Sequence, residues 1–119
     1  MSDYIQIHTD EKWITISFAC EDDIPFAVGE KMGQINADAY MNGYNWDALF
    51  QYYLKKHAPA LLEGLDSDPE AGSYAAHYRA APENEEKAQR FAQLIRSLVE
   101  NEEELCRIVR DEGHEIMWD

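Results

Sequence analysis

Twice along this chain, paired apolar runs with a period of two give way to runs with a period near 3.6. In the first pair, Ile5 and Ile7 alternate with Tyr4, Gln6 and His8 over residues 4–8. Ile14, Ile16 and Phe18 then alternate with Trp13, Thr15 and Ser17 over 13–20. β-Branched residues at every second position suit a pleated strand with one buried face. The polar stretch Asp10-Glu11-Lys12 between them predicts a hairpin. Past Pro25, Val28, Met32, Ile35 and Ala39 recur at helical spacing, so a helix is predicted there and NGYN (42–45) ends it. Asn45 is read as the N-cap of the next helix. From it Trp46, Leu49, Phe50, Tyr53 and Leu54 form one apolar stripe, which Pro59 stops.

The second half repeats the change of period. Residues 65–68 and 73–79 read as strands, with Pro69 at the first central position of their turn and Gly72 at a positive φ. Tyr74, Ala76 and Tyr78 share one face of the second strand. Pro82 opens a helix whose stripe is Ala88, Phe91, Ala92, Ile95, Leu98 and Val99. Asn101, with Glu104 three residues on, has capping-box spacing for a last helix, and Gly113 reads as its C′ residue. HEIMWD (114–119) reads either as an extra strand or as a tail packed on that helix. The expectation is a single α+β domain over 1–119 in the order ββααββαα. Two hairpins make a four-stranded antiparallel sheet, and the helices pack on one face.

Five rings crowd residues 43–53. Trp46, Phe50 and Tyr53 lie on the helical stripe and are assigned to the core; Tyr44 precedes the helix with room to pack back on it, and Tyr52 lies off the stripe on the exposed side. A platform for stacking bases is disfavoured, because it needs cations beside the rings and only Lys55 and Lys56 are near. Net charge is −14. Residues 1–50 carry nine acids and two bases, 51–82 four and three, and 83–119 eleven and five. Such a field repels nucleic acid and anionic lipid and attracts cationic protein surfaces. The plainer reading of the acidity is solubility alone. No run of about 18 apolar residues occurs, and residues 1–13 hold neither a basic nor an apolar segment of a secretory signal, so a cytoplasmic location is expected.

Motifs for chemistry are scarce. DSDPEAG places Asp66, Asp68 and Glu70 at alternate positions like the first ligands of an EF-hand. However, Ala71 stands where the bend needs glycine and His77 where a bidentate Glu is needed, so a plain turn is preferred. His8, His57, His77 and His114 share no metal-ligand spacing. Cys20 and Cys106 are read as reduced, buried or half-buried residues, and Glu21, Asp22 and Asp23 should raise the Cys20 thiol pKa. No nucleophile elbow or phosphate-binding loop is present. The reading assigns no catalytic residue, metal or cofactor.

Gly43 to Ala48 (G-Y-x-W-[DE]-A), the Ala58-Pro59 stop and the turn Asp68-Pro69-Glu70-Ala71-Gly72 ahead of an aromatic strand together resemble the immunity protein 51 family of bacterial polymorphic toxin systems. The resemblance covers about the middle third of the chain, and it transfers no catalytic residue. It implies an antidote of contact-dependent-inhibition type that binds a cognate toxin domain, a basic one such as a nuclease in view of the charge. Exposed carboxylates and stray rings are then the candidate contacts: Asp66, Asp68, Glu70, Glu102, Glu103, Tyr44 and Tyr52. The competing readings are an acidic adaptor or DNA mimic, and a small enzyme or metal-binding domain.

Overall fold

The computed structural model describes residues 3–119. Strands β1 (Ile5–Thr9) and β2 (Trp13–Phe18) are followed by helices α1 (Asp23–Ile35) and α2 (Gly43–His57). Strands β3 (Asp66–Pro69) and β4 (Tyr74–Arg79) and helices α3 (Pro82–Glu100) and α4 (Glu102–Glu112) complete the chain. The expected α+β order is therefore observed. The four strands form one antiparallel sheet, β1-β2-β4-β3, so the two hairpins join through β2 and β4. The first hairpin is closed by the Asp10 carboxylate, which accepts from the backbone N–H groups of Lys12 and Trp13, both at 2.8 Å.

Register aligns the apolar residues in rows. Ile16 faces Ile7 on one side and Ala76 on the other, Ile14 faces Tyr78, and Phe18 faces Tyr74. This face is buried beneath α2 and α3, while α1 and α4 pack on each other and on α3. The opposite face carries no helix and is polar, with His8, Thr15, His77 and Asp66 in one row. Phe50 is the hub of the core. Its ring lies 5.7 Å from Trp46, 5.1 Å from Tyr74, 5.8 Å from Phe91 and 5.9 Å from Phe18. Tilted and edge-to-face contacts of this kind add to the burial of each ring.

Several local expectations are corrected. Helix α1 starts two residues before Pro25 and stops at Ile35, so Ala39 is buried from the following segment and not from a helix face. Asn42, not Asn45, caps α2, its side chain accepting from the Asn45 N–H at 2.9 Å. Gly72 has no positive φ, and the left-handed position falls instead at Gly64 (φ +77°), where the chain leaves the short 3-10 turn Pro59–Leu62. The strand read over 65–68 is observed as the edge strand β3, but Pro69, placed in the turn, is its last residue. Gly113 is right-handed and opens a second 3-10 turn (Gly113–Glu115), so the helix runs into the tail without a left-handed cap. That tail adds no strand. Ile116 is buried and the Trp118 indole donates to the Gly113 carbonyl at 3.0 Å. Tyr53, assigned to the core, is half-buried and lies 4.5 Å from the His57 ring.

Candidate partner-binding surface

The start of α2 organises the surface around it. The Gly43 N–H donates to the Ala71 carbonyl at 3.1 Å, which draws the helix end onto the β3–β4 turn. A Cβ at position 43 would lie 1.9 Å from the Glu70 carbonyl oxygen and 2.1 Å from that of Ser73, so only glycine permits the approach. Two residues on, Asn45 is buried and fully engaged. Its amide donates to the Tyr40 carbonyl at 2.7 Å and the Asp38 carbonyl at 3.5 Å, and its oxygen accepts from the Asp119 N–H at 2.7 Å. One side chain thus holds both the 36–42 segment and the end of the chain.

A groove of about 560 Å³ runs between the outer side of α2 and that tail. Tyr44 and Tyr52, named from the sequence as candidate partner contacts, both line it, together with Met117 and Trp118. Tyr44 is exposed. Tyr52 is half-buried and its hydroxyl is committed within the fold, donating to Glu112. Glu112 also accepts from Lys56 at 2.6 Å and from Arg107 at 2.9 Å. The Lys56 ammonium, followed by the Tyr52 hydroxyl, pulls the Glu112 carboxyl down to about 2. Burial first and Glu112 second push the Tyr52 phenol above its usual range. These bonds make Tyr52 a brace between α2 and α4 as well as a groove wall.

The remaining candidates do not converge there. Asp66 and Asp68 are exposed on the helix-free face of the edge strand, and Glu70 is exposed in the β3–β4 turn. Glu102 is paired with Lys31 of α1 at 2.8 Å, while Glu103 beside it is exposed. The seven residues therefore do not form one site: the two tyrosines share the α2–tail groove, Asp66 and Asp68 share the open face of β3, Glu70 lies in the turn after it, and Glu102 and Glu103 open α4. Cys20 is buried and its thiol is pushed up to about 11, by burial first, with Glu21 a smaller contribution. Cys106 is half-buried and both thiols are free.

Sequence reasoning missed the exposed rings on α1 and after it. Phe26 is 49% exposed and Tyr40 75%. Phe26 lies off the Val28–Met32 face of its helix, a signal that was available; Tyr40 sits in a segment read as helical.

Among the described residues, no three His, Cys, Asp or Glu side chains gather as metal ligands, and no helix is long and apolar enough to cross a membrane. One sheet with helices on a single face, an aromatic interior and an acidic surface set with a few exposed rings define a small acidic α+β protein. Residues 5–114 match the family model of immunity protein 51, and the chain belongs to that family. Membership carries, in general terms, a toxin-neutralising immunity role. No curated protein and no solved structure matches the chain significantly.

Proposed function

We propose that this chain neutralises one cognate toxin domain in the cytoplasm by forming a one-to-one complex, without chemical turnover, and that the toxin is basic, a nuclease being the leading case. The observation that carries this reading is how the charge is arranged. Lys31, Lys56, Arg96, Arg107 and Arg110 are all engaged in ion pairs within the fold. Half of the ten cationic side chains are thereby taken up by five acids of the same chain, which leaves five bases against 19 acids outside these pairs and an unbalanced net charge of −14. An excess of one sign steers an oppositely charged partner into encounter, and a few desolvated contacts then set the lifetime of the complex.

The test is co-expression with the toxin domain encoded beside the gene, read as rescue of growth and co-purification at equal stoichiometry. Toxicity that persists, with no complex recovered, overturns the proposal. The electrostatic part has its own readout. Association should slow at least about tenfold between low and physiological salt while dissociation changes little. A salt-insensitive association rate removes that part.

A further inference from the structure

Charge and apolar exposure coincide at one end of the molecule. Between residues 20 and 50 the only base is Lys31, and Glu102 neutralises it at 2.8 Å. The same stretch carries Glu21, Asp22, Asp23, Glu30, Asp38 and Asp47. A groove of about 340 Å³ opens here between α1 and the 36–42 segment. Phe26, Tyr40 and Met41 line it, with the carboxylate residues Glu21 and Glu30 beside them. Gly29 and Gly33 set its depth. A Cβ at 29 would meet the Met41 side chain at 3.0 Å, and one at 33 the Ala39 carbonyl at 3.3 Å, so larger residues would push the segment off the helix. Asn45 holds the Tyr40 backbone from below at 2.7 Å, so the ring is presented on an anchored segment.

Exposed rings next to carboxylates match one side chain better than any other. A guanidinium is flat and weakly hydrated. It stacks on aromatic faces while its edge donates to carboxylate oxygens. The acidity of this end disfavours nucleic acid, an anionic bilayer and a second copy of the same chain, each of which would bring like charge to like. Resting on the toxin-binding reading above, we propose that this groove is the primary docking site and that it takes an arginine-bearing segment of the toxin, the guanidinium lying against Phe26 and Tyr40 and pairing with Glu21 and Glu30. The rings supply the water-excluded anchor and the carboxylates supply direction, the division seen where a few central residues dominate an interface. The α2–tail groove, with Lys55 on its wall, is then secondary.

The test compares the full chain with the double variant Phe26→Ala/Tyr40→Ala. Both rings are exposed, so the variant should keep its thermal midpoint. Its affinity for the toxin domain should fall about 100-fold, the usual size for two anchors lost together. A second arm needs no toxin. A short blocked peptide with two arginines, titrated at low salt, should shift the backbone amide resonances of residues 21–42 most, and its citrulline counterpart should not. Equal toxin binding by variant and wild type, or peptide shifts spread over all the acidic surfaces, overturns the docking site and leaves the immunity reading intact. A wild-type chain that binds no cognate toxin overturns both.

Discussion

Tyr74 and Tyr78 stand four residues apart on the same face of β4, both fully buried, yet replacing each by phenylalanine should move stability in opposite directions. The Tyr78 hydroxyl donates to the Leu61 carbonyl at 2.5 Å. The Tyr74 hydroxyl has no hydrogen-bond partner among the described residues. Burial, with the Asp47 charge behind it, holds the Tyr74 phenol well above its usual range, while burial pushes Tyr78 up to about 12. Both therefore stay neutral through the working pH range, and the comparison reads hydrogen bonding alone. An unpaired buried hydroxyl costs about 1–3 kcal/mol by mutational measures. Deleting it from Tyr74 relieves that cost and forfeits about 0.5–1 kcal/mol of contacts around one oxygen. The net expectation for Tyr74→Phe is a gain of about 1 kcal/mol, or about 4 °C in Tm for a chain of this length. Tyr78→Phe loses a bond and strands a carbonyl, a loss of about 1–2 kcal/mol. Urea titrations followed by tryptophan fluorescence, backed by calorimetry, separate the two. Destabilisation by Tyr74→Phe of more than about 1 kcal/mol, well outside the error of such titrations, would show that the hydroxyl is satisfied in solution and that the aromatic centre is not dry.

Gly43→Ala should cost about 3 kcal/mol, because its methyl group would run into the carbonyls of Glu70 and Ser73 and not into a yielding side chain; denaturant midpoints measure it. Asn45→Ala should cost about 2 kcal/mol and loosen both the 36–42 segment and the chain end, seen as faster amide exchange at Asp119 and through that segment. Glu112→Gln should lower stability by about 1 kcal/mol at neutral pH, discounted for the solvent that reaches its partners. Glu112 is depressed to about 2 from an ordinary 4.5, so its contribution is complete above about pH 5 and fades as pH falls toward 2. Wild-type and variant stability curves should therefore converge in that window, and a constant gap across it would contradict the assignment.

The order of elements was legible because strand and helix impose different periods on the same apolar residues. Ile14, Ile16 and Phe18 declare a strand in the same way that Trp46, Leu49, Phe50 and Leu54 declare a helix. Helix ends were less legible. Asn42 and Asn45 both have a capping side chain, and the choice between them was made by the docking of Gly43 on the β3–β4 turn. The candidate contacts were read from exposure and charge alone, which do not say which residues become neighbours. Tyr52 looked free and is tied to Glu112, 60 positions away, whereas Phe26 and Tyr40 stood out by no pattern and are exposed.

By itself the sequence determined the class of fold, the identity of most of the core and the sign of the surface charge, since each follows from local pattern or from composition. Only the tertiary structure decided that the two hairpins meet through β2 and β4, that Asn45 secures a segment and the chain terminus together, and that exposed rings and unpaired acids share one end of the molecule. The physical reason is distance along the chain. A period is written in neighbouring residues, but a surface is assembled from residues that become adjacent only when the core between them has closed.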